Sequence, residues 1–474
     1  MSELHHLTAQ EQWDRLRRGD VTPRELAEHH LARIERLDPA LGAFVTVTAD
    51  RALERADALL AAGPSIAPLW GLPLADKDLW DRAGVPTLAG SRLSRGRVPE
   101  ASGELVAALD EAGAVSLGKT ATPEFGLTGY TESRVGPPTR TPWDTTRGAG
   151  GSSGGAAAAV AAGLVPVAPG SDGGGSIRIP ASATGLVGLK PSRGRVPSAS
   201  GLASLGGLAV GGALARTVAD AAMLLDALVS PDGRPPRHHH ALWAPPSPDG
   251  AYLGTAVRGE GRFQLAVATN TPWDRTYDVQ VDPRVADVMQ DALEALADLG
   301  HGIDDTPVPI GDYGRLFRTI WQAGAAGIPA EGEEDLALLE PVTRWLVERG
   351  RGLGARELGE ALAGLTAYER HVVEAFAPYD AVVTPTLAQL PPPVGWFDTE
   401  DAERSFEQQC LVSPFTSFVN VAGLPAISLP VGEVEGVPVG VQLIGRPGRE
   451  DVLLAIGAQL ERRLRWQHRH PPGW

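Results

Sequence analysis

Two Gly/Ser-rich loops separated by one short apolar segment constrain this chain more than any other feature. The first, residues 147–155, reads R-G-A-G-G-S-S-G-G, and the second, residues 170–182, reads G-S-D-G-G-G-S-I-R-I-P-A-S. Glycine has no Cβ, so loops of this kind let backbone N–H groups approach a small ligand. Gly/Ser clusters more commonly serve as flexible linkers. Three features oppose a linker here. Residues 156–162 between the loops are apolar and helix-forming, which calls for burial. Asp172 and Arg178 bracket the second loop with opposite charges. Ile177 and Ile179 open a segment that reads as buried and ends at Pro180.

The bulk numbers narrow the class. With 474 residues the chain can bury a large core. A net charge of −16 opposes any general attraction to nucleic acid or anionic membrane. Cys410 is the only cysteine, so no intrachain disulfide can form, which fits a reducing compartment. The first residues, M-S-E-L-H-H-L-T, lack a basic segment followed by an apolar one, and no apolar run reaches membrane-spanning length. A soluble cytoplasmic protein is expected.

Taken in order, the first 62 or so residues read as helices. Thr8 with Glu11, and Thr22 with Pro23 and Glu25, are capping boxes. His29 and His30 are expected at the surface or edge of the second helix. A further helix runs from about Thr48 to Ala62 and stops at Gly63. Residues 71–79 form a short extended segment carrying Lys77, which either pairs with Asp76 or Asp78 or is a desolvated amine able to act as a base. Beyond the two loops the pattern alternates. A helix starts at Thr217, strands cover 263–268, 380–384, 426–431 and 437–444, a helix starts at Asp282, and a last helix spans about 451–463. Residues 230–262 read as a long loop, in which His238–His240 are solvated and lack metal-ligand spacing.

Two motifs mislead. Residues 113–120, G-A-V-S-L-G-K-T, match a phosphate-loop pattern, but such a loop follows a strand and opens a helix. Here a helix precedes it and the strand lies inside it. Residues 151–155, G-S-S-G-G, fit a nucleophile elbow with Ser153 as nucleophile. That elbow needs a strong strand before it and a later Asp and His; residues 143–148 do not read as a strand, and His468 and His470 are poor partners.

The paired serine loops, with Lys77–Asp78 upstream in G-L-P-L-A-D-K-D, resemble the amidase signature family. The separations of Lys77, Ser152 and Ser176 are similar to those of the family. The resemblance extends through residues 112–125, 185–191 and 420–445 and so covers nearly the whole chain. It implies one α/β domain over 1–474, an α/β/α sandwich with a mixed central sheet flanked by helices. Within it, N-terminal helices fill 1–62, the signature core about 66–215, a variable pocket region about 230–378 and C-terminal strands and helix about 379–465.

The resemblance also implies a chemistry. Ser176 is the nucleophile, Ser152 bridges it to Lys77, Lys77 is the base, and the bridging serine sits in a cis peptide. A serine hydroxyl needs such a base to become nucleophilic. Backbone N–H groups of Gly173, Gly174, Gly175 and Ser176 form the oxyanion hole, while Asp172 and Arg178 fix the loop. Gly173 departs from the family, where Thr or an aliphatic residue is usual. Gly148–Ala149 and Ala156 depart too, and no reacting group is lost. Trp321 and Phe415, with Phe418, are expected at an apolar substrate pocket. No metal or cofactor is expected, because no His, Cys or carboxylate cluster has ligand spacing.

The expected function is hydrolysis of a C–N bond in a small amide, anilide or carbamate, through an acyl-enzyme. A glutamine-hydrolysing amidotransferase subunit that feeds ammonia to a partner is the alternative. The approach to the C-terminal segment, Q-C-L-V-S-P-F-T-S-F-V-N-V-A-G-L-P (409–425), differs from that of such subunits. An esterase of the α/β-hydrolase type and a scaffold without catalysis are further readings. A homodimer is the base-rate expectation.

Overall fold

The computed structural model describes residues 3–196, 204–229, 242 and 252–474. His238–His240, and most of the loop read around them, lie outside the described residues.

Three sheets organise the chain. The first contains β1 (Phe44–Val47), β2 (Pro73–Lys77) and β3 (Val115–Thr120) in the order β1-β3-β2. A two-stranded ribbon joins β4 (Arg140–Thr141) to β5 (Asp144–Gly148). The main sheet has eight strands: β6 (Val167–Asp172), β7 (Val187–Lys190), β8 (Val210–Ala215), β9 (Gln264–Val267), β10 (Gly302–Asp305), β11 (Ala381–Pro385), β12 (Ala426–Val434) and β13 (Val437–Gly445). Its order is β10-β9-β11-β13-β12-β7-β8-β6. The β10/β9 and β9/β11 pairs are parallel and the others antiparallel, so the sheet is mixed.

Helices flank this sheet, as expected. The Gly154–Ala161 helix is buried along its whole length, because alanines and one valine let it thread between β6 and β8 and the smaller sheet. The Val218–Leu228 and Glu450–Leu464 helices add a largely apolar layer over β8 and β12. A second cluster gathers Trp273, Tyr313, Phe317, Tyr368, Phe406 and Phe418 beneath the Tyr313–Ala325 and Ala355–Phe376 helices. No helix among the described residues is long and apolar enough to cross a membrane.

Both capping boxes form, with Thr8 over Glu11 and Thr22 over Glu25. The phosphate-loop pattern resolves as the Glu104–Glu111 helix followed by β3, all of whose residues are buried. Residues 144–148, which do not read as a strand, form β5, because a partner segment supplies the pairing that a polar stretch does not announce.

His30 also differs from expectation. It is fully buried, on the same face as Leu26 and Ile34, and its Nε2 lies 3.3 Å from Gln12 Oε1. Neighbouring His5 is buried too, and its Nε2 accepts from Arg33 at 2.9 Å. Ring contacts join it to His6, His29 and Trp474, and His470 in turn meets His6 and Trp474. Burial, then Arg33 and the adjoining histidines, pushes His5 down to about 3; burial and Arg216 bring His470 to about 4; burial holds His30 well below its ordinary value. Between pH 6.5 and about 3 these histidines therefore bind more protons in the unfolded chain than in the folded one, so the stability they contribute falls as pH drops through that window. Urea midpoints at pH 7 and pH 5 check this. The wild type should lose more on acidification than a His5→Gln variant, and equal losses would remove His5 as a cause.

Candidate active site

Lys77 ends β2, a strand with no exposed residue. Its amine is wholly buried and lies 2.8 Å from Ser152 Oγ, 3.0 Å from Ser153 Oγ and 2.9 Å from Ser171 Oγ. Burial pushes it down from the ordinary 10.5 to about 7, with Asp172 opposing the shift. The amine is therefore poised between its charged and neutral forms near neutral pH, which suits a general base. Ser153 and Ser171 are partners that sequence reasoning missed; Ser171 sits inside the G-S-D run, which was the available signal.

Ser152 follows Gly151 through a cis peptide bond. Glycines on both sides of the serine pair are sterically required. A Cβ on Gly151 would stand 2.7 Å from the Tyr130 backbone, and one on Gly155 would stand 2.3 Å from Ala121 N. The two serine loops are tied together where Ser153 N–H donates to Ser176 O at 3.1 Å. Ser153 Oγ also donates to Ser171 O at 3.2 Å, and its side chain is buried away from the cavity. That position is unsuited to the nucleophile of an elbow.

Ser176 stands just before the Arg178–Thr184 helix and lines a pocket with about 510 Å³ of empty space, part of it open to solvent. Its Oγ makes no hydrogen bond among the described residues. Lys77 and Ser152 are thus in direct contact, whereas Ser152 and Ser176 are not hydrogen-bonded in this state. Such contacts commonly tighten only with substrate bound.

The loop before Ser176 is held by a buried ionic network. Asp172 pairs with Arg178 at 2.9 Å, and both side chains are fully buried. Burial alone would raise the Asp172 carboxyl, but Arg178, Lys190 and Asn420 hold it well below the usual carboxylate range. Arg178 also donates to Gln442 Oε1, Asn420 Oδ1 and Thr416 O, tying the loop to β13 and the segment before β12. Thr416 Oγ1 donates to Gly174 O at 2.7 Å.

One expectation needs correction here. The Gly175 N–H donates to Asp172 Oδ1 at 2.8 Å, so it is committed to the network and not offered to an oxyanion. The N–H groups of Gly173, Gly174 and Ser176 make no hydrogen bond among the described residues. Replacing Asp172 with alanine would strand the buried Arg178 charge and release this loop. A stability loss of about 3–5 kcal/mol is expected in urea denaturation.

The cavity wall contains Leu127, Thr128 and Gly129 on one side and Trp273, Phe317, Trp321 and Phe406 on another, with Gln409, Cys410, Ser413 and Ser417 closing it. Trp321 is there as expected. Phe415 and Phe418 are not; both are fully buried, and Phe418 packs in the second apolar cluster. Their spacing beside the pocket was visible in sequence, but the side to which each ring turns depends on the short Ser417–Val421 helix.

Among the described residues, Glu3, His5 and His6 form the one group of such side chains close enough to share a metal ion. Arg33 donates to His5 Nε2, which leaves the Nδ1 of the neutral ring protonated and unable to ligate. That cluster belongs to the histidine contacts described above and not to the cavity.

A sequence profile described as Amidase matches residues 25–454. The chain belongs to the amidase signature family. Among its relatives, AmiB2 of Mycobacterium tuberculosis is 37% identical over 459 residues, 96% of this chain and 95% of the relative. A glutamyl-tRNA(Gln) amidotransferase subunit of Chloroflexus aurantiacus is 36% identical over 507 residues, 99% of each. A 6-aminohexanoate cyclic dimer hydrolase superposes with a TM-score of 0.87 at 32% identity, covering 99% of each chain. A bacterial aryl acylamidase superposes with a TM-score of 0.86 at 27% identity, covering 98% of each. The mixed eight-stranded sheet flanked by helices is the amidase signature architecture, and this amidase belongs to a class of amide-hydrolysing enzymes.

Proposed function

We propose that this amidase cleaves the C–N bond of a small amide, anilide or carbamate through Ser176, Ser152 and Lys77. The observation that carries the reading is the buried Lys77 amine, brought down to about 7 and held by serine hydroxyls beside the cavity that Ser176 lines. Neutral Lys77 draws a proton from Ser152, which draws one from Ser176, and Ser176 Oγ attacks the carbonyl carbon. The oxyanion is met by the N–H groups of Gly173, Gly174 and Ser176; one such donor is typically worth about 3–4 kcal/mol. The proton returns by the same route to the leaving nitrogen. An amine departs, and water, activated in reverse, frees the carboxylic acid and Ser176.

Relatives from three bacterial species are amidotransferase subunits, so glutamine is the rival substrate. Glutamine carries an α-ammonium and an α-carboxylate. No charged side chain is among the described residues that line the cavity, which favours a neutral amide.

A fluorophosphonate probe with peptide mapping tests the reading. Label is expected on Ser176 and is expected to weaken strongly when Lys77 is replaced by methionine. Label on Ser153 instead, or none on any serine, would sink it.

A further inference from the structure

The cavity wall is aromatic, and its polar groups are already occupied. Tyr313, Phe317 and Trp321 recur at i, i+4 and i+8 on one helix, and their rings stack in sequence: Tyr313 on Phe317 at 5.6 Å and 23°, Phe317 on Trp321 at 5.4 Å and 18°. Trp273 meets Phe317 edge-on at 5.7 Å and 81°. This wall stands directly on the loop that leads to Ser176. A Cβ on Gly173 would lie 3.5 Å from the Trp321 ring, and one on Gly174 would lie 3.6 Å from the Phe317 ring. Whatever is bonded to a carbonyl held by that loop must therefore lie against these rings.

The polar wall residues bond to the protein itself. Gln409 Oε1 accepts from Gly129 N–H at 2.9 Å while its Nε2 donates to Ser405 O. Thr128 donates to Tyr130 O, and Ser413 to Gln409 O. Burial pushes the Cys410 thiol well up, so it stays neutral. Three neutral donors remain on these side chains: the second Nε2 hydrogen of Gln409, the Ser417 hydroxyl, whose oxygen is taken by Tyr313, and the Trp273 indole N–H, buried without an acceptor. No charged side chain lines this wall; Arg318 lies over the Phe406 ring without lining the cavity, and burying an unpaired charge is costly. Stacked rings reward a flat group that presents faces and edges to them.

We propose that the substituent filling this cavity is a planar, uncharged ring next to the scissile amide, and that Trp321 determines this preference. The inference rests on the amide-hydrolase reading above and adds the substrate class. The ring could stand on the acyl side or on the amine side. Benzamide represents the first and acetanilide the second, and the larger of the two kcat/KM values assigns the side.

The test compares these two with acetamide, with cyclohexanecarboxamide as a puckered ring and with 4-carboxybenzamide as a charged one. At least one aryl amide should exceed cyclohexanecarboxamide by about 10-fold or more. The 4-carboxy group should cost at least about 100-fold relative to benzamide. Trp321→Leu should lose about 10-fold more on the favoured aryl amide than on acetamide. Trp321→Phe should recover part of the loss.

Calorimetric binding of benzamide and acetanilide to the Ser176→Ala protein reads the same wall without turnover. It should show the same aryl preference and the same weakening on adding Trp321→Leu. Acetamide hydrolysis with no aryl preference, or a Trp321→Leu loss equal for all amides, would overturn this proposal and leave the hydrolase reading standing. No hydrolysis of any amide, with aryl binding retained and weakened by Trp321→Leu, would overturn the hydrolase reading and leave the wall's preference standing. Equal binding of 4-carboxybenzamide and benzamide would overturn the proposal in either case.

Discussion

Ser176→Ala is expected to lower kcat/KM by about 10⁴–10⁶-fold and to leave the fold intact. The size follows from losing the group proposed to form the covalent bond, with only binding and oxyanion stabilisation left. The fold should survive because Ser176 Oγ makes no hydrogen bond among the described residues, while its carbonyl, which binds Ser153 N–H, is unaffected by the change. Steady-state kinetics on the favoured amide, with a urea midpoint on the same preparation, checks both halves. Residual activity within tenfold of wild type would mean that another group attacks the carbonyl.

The second large effect belongs to Lys77. Lys77→Met keeps the apolar stem and removes the amine, and a loss of about 10²–10⁴-fold in kcat/KM is expected for a missing general base. The pH profile carries the sharper signature. Burial brings this amine down from 10.5 to about 7, and only its neutral form accepts a proton. Activity should therefore rise with pH up to about 7 and level off above it. In Lys77→Met that inflection should vanish, leaving a low, flat profile. An unchanged inflection in the variant would assign the titration to a different group. Lys190, also buried and also brought down to about 7, is the first to examine, through Lys190→Met.

Much of the site was legible in the sequence. Lys77, Ser152, Ser176, Asp172 and Arg178 lie in three motifs, and the structure brings Lys77 to Ser152 and Asp172 to Arg178 close to the cavity that Ser176 lines. The coarse elements were legible too, because apolar spacing and capping residues are local signals: both capping boxes, the buried alanine helix and the Gly436 hairpin stand where the pattern puts them.

What escaped reading depended on how segments pair and turn in the folded chain. β5 is polar and pairs because it turns back beside β4. His30 is buried, with its ring beside Gln12 of the preceding helix. Gly175 gives its N–H to Asp172, a choice made by the turn and not by the Gly run. Phe415 and Trp321 are equally plausible pocket residues by composition, yet one ring turns into the core and the other toward Gly173.

The sequence by itself pointed to the family, through the two serine loops and the upstream Lys–Asp pair, and through that resemblance to the mixed sheet and to Lys77, Ser152 and Ser176 as the candidate residues. The tertiary structure alone decided the burial of Lys77, which N–H groups of the second loop are left without a partner, and the aromatic character of the cavity. Each of these is set by what surrounds a group once the chain has folded: desolvation, committed hydrogen bonds and packed rings, which residue identity by itself does not encode.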